Sequence, residues 1–383
     1  MSKAAELANL IGNINAGGGG VNRNVIINGS MNVAQRGTSE TGIGASTSYF
    51  TCDRWLFARE AGTEQARFTM TQDTASVGID SLPFQEAGIR TALKMDVTTA
   101  ESAVAAGEAS YIVQRIEGFN CSNLDIKTKP ITLSFYAKSD TKTGTMCASL
   151  YASSGGRHHV KEYSITTDWQ RFSLTFPADS SATALANDNT NELQVNFALT
   201  AGSNLQVTGD QWASGFDIAT SNQINFADST DNNWYITGVQ LEVGQNPTEF
   251  EREPFEGTLA KCQRYFQTVD MVTSGGAHYL GPVMTRASNN NHMLFNCPVT
   301  MRSQPTLSVT ESGTLRFTAN GSYTDGSSNS ITIGGVTLSV HTQTTNHLMS
   351  FNFGSVSGVS TSSNYAYGGV MLNSGKFNLD AEL

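Results

Sequence analysis

The sequence has 383 residues with 23 Lys or Arg against 33 Asp or Glu, a net charge of -10 at pH 7. Such a length holds two or three domains with cores of their own, and an acidic chain with no stripe of Lys and Arg sets aside a nucleic-acid backbone as partner. Charged residues make up only 15% of it, below the roughly 25% of an ordinary soluble domain; Ser, Thr, Asn and Gln carry the polarity, as they do where strands and loops dominate.

Residues 1–20 divide into a helix and a hinge. In SKAAELANLIG, Ala4, Leu7, Ala8 and Ile11 share one helical face, which Leu10 and Ile14 widen. Three turns are marginal alone in water, so this face wants a partner, either copies of itself or a socket on another protein. NAGGGG then makes a flexible break. From Asn22, NRNVIINGSMNVAQRG alternates around Val25, Ile27, Met31 and Val33 with Asn-Gly as a turn. TSYFTCDRWLFARE reads as a strand that buries Trp55 and exposes Arg54.

Short alternating strands follow, from ARFTMTQD to NWYITGVQLEV. In ITLSFYAKS, Ile131, Leu133, Phe135 and Ala137 alternate with Thr132, Ser134, Tyr136 and Lys138, so one face packs and the other meets water. With no intervening amphipathic helices, residues 21–247 are expected to form an antiparallel sandwich. Residues 248–270 read as a linker and a short helix, with Leu259, Cys262, Gln263 and Phe266 at helical spacing and Thr258 as its cap. Anchoring of Phe250 and Phe255 on the sandwich would make EFEREPFE a rigid strap. Residues 271–383, rich in Gly and Ser and nearly free of charge, read as a separate C-terminal β domain and as the candidate receptor-binding tip, where host binding is expected.

Cys52, Cys121, Cys147, Cys262 and Cys297 are odd in number and form no Cys-x-x-Cys unit, so they read as reduced small hydrophobes. No charged leader followed by an apolar run opens the chain, and no 18-residue apolar segment occurs. Synthesis in the cytoplasm without secretory export, and no membrane insertion, are therefore expected.

The segments IINGSMNVAQRG with YFTCDRW, ITGVQLEVGQNPTEFEREPFEGTLAKCQRYF, MRSQPTLSV and the terminal FNLDAEL occur in an order and spacing that carry a family likeness. Together they resemble tailed-bacteriophage structural proteins, chiefly tail-fibre or receptor-binding virion proteins of phages of aquatic bacteria. The resemblance covers nearly the whole chain. It implies a mainly β fold with a jelly-roll-like central sandwich of the carbohydrate-binding-module kind. It also implies a homotrimer in the virion, held through the N-terminal helix by another virion protein and directed at a host-surface glycan or protein, with no catalytic activity. Such modules often hold a structural calcium, for which no ligand set transfers here residue by residue. A head fibre or capsid decoration protein and a glycan-degrading tailspike are the alternatives.

Sugar recognition sets an aromatic ring on the apolar face of a pyranose and amides or hydroxyls on its edge. Tyr151 and Trp169, with Tyr136 and Tyr163, are candidates in the central region; Tyr323, Tyr365 and Tyr367, with Tyr279, are candidates in the last. Tyr365 and Tyr367 fall on one side of an extended backbone. Core or subunit-interface packing is the competing reading of each ring. Hydrolysis needs two carboxyl groups about 5 to 9 Å apart. Asp53, Glu117, Asp125, Asp231 and Glu242 sit in no distinctive motif, so no catalytic residue is assigned. Glu242, opposite Val239, Leu241 and Val243, reads as a surface carboxylate or as a metal ligand with loop oxygens. His158 and His159 point to opposite faces, a poor metal geometry; with Arg157 and Lys161 they suit a rim for an acidic glycan or a solvated hairpin edge. Neither a Gly-x-Ser-x-Gly elbow nor a phosphate loop is present, so no cofactor is expected.

Overall fold

The computed structural model describes residues 3–4, 7–8, 11, 23–60, 65–74, 88–270, 278–287, 290–310, 314–319, 330–332, 338–340, 348–353, 366–372 and 376–383. The chain is mainly β and divides into two units, residues 1–259 with Leu383 and residues 260–382.

The first unit is an antiparallel sandwich. Its strands begin with β1 (Ser39–Ile43), β2 (Ser48–Tyr49), β3 (Leu56–Glu60), β4 (Arg67–Asp73) and β5 (Ala92–Thr99). They continue with β6 (Ala109–Glu117), β7 (Ile131–Ser139), β8 (Gly144–Ala152), β9 (Arg157–Ile165) and β10 (Gln170–Phe176). The last are β11 (Asn191–Ala201), β12 (Gln206–Val207), β13 (Ala213–Ser214), β14 (Ala219–Thr220) and β15 (Asn233–Val243). A short helix, α1 (Gly118–Cys121), follows β6. Among the described residues one sheet has the order β1-β4-β5-β15-β7-β10 and the other β13-β9-β8-β11-β6-β3-β2. Ile131, Leu133, Phe135 and Ala137 of β7 enter the shared core with Trp55, Phe57, Phe68, Phe197 and Trp234, as period-2 alternation requires. Phe135 meets Phe197 and Tyr163 edge-on at 5.0 and 5.1 Å, which makes Tyr163 a core ring. Cys52, Cys121, Cys147 and Cys262 are free and buried.

Residues 23–36, expected to alternate about a turn at Asn28-Gly29, do turn there, with Met31 N–H donating to the Asn28 carbonyl at 3.0 Å, but the flanking residues form an irregular segment laid against the sandwich rather than strands. Asn28 and Met31 have φ of 58° and 59°, outside any strand. The Asn28 amide donates to the carbonyls of Val33 and Asp53 at 2.9 and 3.0 Å, while its oxygen accepts the Val33 N–H at 3.0 Å. Trp55 Nε1 donates to the Asn28 carbonyl at 3.0 Å. Gly29 is required by close approach, since a Cβ there would lie 2.1 Å from the Val239 carbonyl oxygen. The buried Asp53 carboxylate accepts the Gln35 N–H at 2.9 Å; burial raises its pKa, against the opposing pull of Arg36 and Gln35. Arg54 is not exposed. Its φ of 72° breaks the expected strand before β3, and its buried guanidinium donates from Nη2 to the Arg115 carbonyl at 2.6 Å.

The segment after β15 does form a strap on the outer face of the six-stranded sheet. Glu242 is fully buried and accepts the Thr248 N–H, the Thr248 hydroxyl and the Gln240 amide, each at 2.8 Å. Glu251 N–H donates to Gln240 Oε1 at 2.7 Å. Phe250 packs with Tyr136 and Trp169 on Ile89 and Ala92, whereas Phe255 is 50% exposed and anchors nothing. Helix α2 (Phe255–Gln263) begins before Thr258; the Pro254 carbonyl accepts from the Gly257 and Thr258 N–H groups and so starts it.

The second unit continues with β16 (Phe266–Asp270), β17 (His278–Ala287), β18 (Asn290–Asn296), β19 (Thr306–Thr310) and β20 (Thr314–Ala319). It ends with β21 (Ser330–Thr332), β22 (Leu338–Val340), β23 (Leu348–Phe353), β24 (Ala366–Leu372) and β25 (Lys376–Asp380). Its described strands form sheets of order β16-β25-β19 and β21-β20-β24-β17-β18-β23-β22. Three separated motifs meet here: Arg302 N–H donates to the Arg264 carbonyl at 2.7 Å, Ala381 N–H to Tyr265 at 2.8 Å, and Arg302 Nε to Ala381 at 2.8 Å. Of the N-terminal helix, Ala4, Leu7, Ala8 and Ile11 are helical and exposed; Leu10 and Ile14 lie outside the described residues.

Candidate functional site

Inward alternation along β11 leaves Gln194 and Asn196 on the outer face of the seven-stranded sheet. Cross-strand register sets Tyr151 beside Gln194 on one side and His158 on the other. A loop covers part of this face. It leaves through β12 and returns through β14, whose parallel pairing closes its neck, and it is pinned by Gly215 N–H to the Gly156 carbonyl at 2.9 Å and Trp212 Nε1 to the Pro177 carbonyl at 2.7 Å. Phe216 from this loop stands perpendicular to Tyr151 at 5.0 Å and tilted against Tyr111 at 6.1 Å. Tyr151 and Gln194 remain partly exposed, and among the described residues the Gln194 amide has no hydrogen-bond partner. A partly exposed ring with a perpendicular neighbour, beside an uncommitted amide, offers apolar surface and a polar edge, the two contacts that a pyranose takes.

The histidines are no rim. His158 and His159 are both fully buried under the same loop. His158 has the Gly215 carbonyl 3.0 Å from Nδ1 and Asp217 3.1 Å from Nε2. His159 packs edge-on to Phe176 and Trp212 at 5.2 and 5.3 Å, with Asp210 3.4 Å from Nε2. Arg157 is paired with Asp179 and Lys161 with Asp210, so neither cation is available as a free rim charge. Burial pushes the His159 pKa down to about 4, against the pull of Asp210 and with the aid of Lys161. An unfolded His protonates near pH 6.5. The unfolded chain therefore takes up the proton first as pH falls, and stability drops between about 6.5 and 4. The slope of melting midpoint against pH across that window is expected to flatten in His159→Phe, which keeps an aromatic ring between Phe176 and Trp212.

The other candidates do not gather around Tyr151. Trp169 lies with the six-stranded sheet, 6.1 Å from Tyr235 with Lys138 Nζ 5.9 Å from its ring centre. Tyr367 stands on β24 opposite Met284, and Tyr279 on β17 opposite Met371. Tyr365 and Tyr323 lie outside the described residues. Two of the carboxylates serve local structure: Asp53 holds the N-terminal segment, and Asp125 takes the left-handed φ of 47° and accepts from the Thr128 hydroxyl. Glu117 is buried, and Asp231 uses its backbone carbonyl, which accepts the Thr141 hydroxyl at 3.0 Å. Glu242, read from sequence as a surface or metal-binding carboxylate, is neither. N–H and O–H donors fill it, a furnishing that does not fit calcium. Among the described residues no group of three or more His, Cys, Asp or Glu side chains gathers as a metal cluster, and no described helix is long and apolar enough to cross a membrane.

No family model matches the chain, and no curated protein matches it. Among solved structures it is similar to the family 11 carbohydrate-binding module from Clostridium thermocellum in complex with a β-1,3-1,4-mixed-linked tetrasaccharide. That match has 11% identity and a TM-score of 0.28, over 55% of this chain and 99% of that one. The N-terminal cellulose-binding domain of Cellulomonas fimi β-1,4-glucanase C matches at 20% identity and TM-score 0.23, over 42% and 83%. The enzymatically active domain of tailspike protein 4 of bacteriophage CBA120 matches at 14% and 0.27, over 58% of this chain and 21% of that chain.

Proposed function

We propose that this chain is a tail-fibre component of a phage virion that attaches to a host-surface glycan without cleaving it, through the Tyr151 surface of the seven-stranded sheet. The observation that carries the reading is the Tyr151 ring, buttressed perpendicularly by Phe216 and adjoined by the uncommitted Gln194 amide. The virion role is supported by the motif resemblance. Those motifs map onto scaffold joints, the Asn28–Asp53 network and the Arg302–Ala381 contact, so they speak for a shared framework and leave the ligand to the surface. The exposed Leu7 and Ile11 side chains suit a helix that packs on copies of itself or on another virion protein, in keeping with a homotrimer.

The test is saturation binding of the labelled intact protein to phage-susceptible and phage-resistant cells. Saturable binding to susceptible cells alone is expected. Tyr151→Ala should weaken it by about tenfold or more, as loss of a principal aromatic contact does, with the melting midpoint nearly unchanged. Equal binding by Tyr151→Ala moves recognition elsewhere on the chain; no binding by the intact protein favours a head fibre.

A further inference from the structure

We propose that the sandwich carries a second saccharide site, in the cleft between β9, β10 and the loop around Asp210, and that it takes a neutral, hydroxyl-rich oligosaccharide. The cleft has a volume of about 530 Å³ and shares Lys161, Thr175 and Asp210 with an adjoining depression of about 410 Å³. Both fall in the range of small-ligand sites, roughly 300–1,000 Å³. Strand β10 is the outermost of its sheet, and β9 pairs with β13 only through Arg157 and His158. Two strand edges therefore border the opening.

The chemistry of the walls selects the ligand. Lys161 Nζ donates to Asp210 Oδ2 at 2.6 Å, which spends that cation inside the protein. Asn222 Nδ2 donates to Glu162 Oε1 at 3.0 Å, and the Thr220 hydroxyl donates to the same oxygen. Glu162 Oε2 and Asn222 Oδ1 are left as acceptors with no donor among the described residues. These acceptors, beside the Ser173, Thr208 and Ser221 hydroxyls of the lining, suit a ligand that both donates and accepts, as the hydroxyls of a saccharide do. One Lys against one Asp and one Glu leaves the lining net negative, which repels a uronate or sulfated chain. With no aromatic ring in its lining, the cleft binds chiefly through hydrogen bonds, and several copies on one particle raise a modest affinity by effective concentration. This site does not depend on binding at Tyr151.

Hydrogen exchange of the intact protein, read by mass spectrometry, tests it with cellohexaose, laminarihexaose and mannohexaose as neutral probes and trigalacturonate as the anionic one. At least one neutral hexasaccharide is expected to slow exchange in β9, β10 and residues 206–222, while trigalacturonate does not. Glu162→Gln with Asn222→Ala should weaken that protection by about tenfold, and Ser173→Trp, which fills the cleft from β10, should abolish it. Tyr151→Ala should leave it intact. The proposal is overturned if no neutral probe protects these segments, if trigalacturonate protects them equally, or if both cleft variants retain protection. Protection lost only in Tyr151→Ala assigns the saccharide to the sheet face and also overturns it.

Discussion

Asn28→Ala is expected to destabilise the sandwich by about 4 kcal/mol, the sum of three lost buried hydrogen bonds and the cost of placing Ala in a left-handed conformation. Both carbonyls that the Asn28 amide satisfies, and the Val33 N–H that its oxygen accepts, lose these partners together. In a unit of this size that corresponds to a fall of roughly 10 °C in melting midpoint, read by calorimetry. Asn28→Gly, which tolerates the φ of 58°, should recover about 1 kcal/mol of the loss. Equal effects of the two substitutions would mean that backbone conformation contributes nothing at this position. Asn28 is buried and presents nothing to a ligand, so the change separates the structural meaning of the INGS motif from recognition.

Glu242→Ala is expected to cost about 3 kcal/mol and to release the strap. The carboxylate receives two groups of Thr248 and the amide of Gln240. Without it the Thr248 N–H is buried with no acceptor, and hydrogen exchange should accelerate across residues 245–254 while the β7 and β10 amides stay protected. Retained protection in the strap would show that Phe250 and the remaining hydrogen bonds of Gln240 to the strap suffice to hold it down. Glu242→Gln tests the donors: an amide nitrogen facing Thr248 and Gln240 replaces an acceptor by a donor, so it should recover less than half of the loss.

Strands such as β7 were legible because alternation alone decides which side chains reach the core. The same rule misplaced Glu242: it does alternate outward, but the returning strap covers it, and a contact between residues 242 and 248 leaves no trace in strand periodicity. Arg54 failed for a local reason, since its left-handed backbone removes the strand on which the inside-outside assignment depended. The histidines were correctly put on opposite faces. Their burial came from the loop between β12 and β14, whose two-residue pairings are too short to show a period; Trp212 and Phe216 amid Gly and Ser were the one signal that this loop packs. Tyr151 was legible as a ring on a strand, whereas its partners Phe216 and Gln194 required pairing of strands far apart in sequence. The cleft was not legible at all, because β9 and β10 belong to different sheets.

Recognition without hydrolysis is measured by incubating the intact protein with purified surface polysaccharide of a susceptible host while following binding and reducing ends together. Saturable binding, weakened in Tyr151→Ala, is expected, with no rise in reducing ends over prolonged incubation. Release of reducing ends by the intact protein, or absence of binding to a polysaccharide that neutralises the phage, would contradict it.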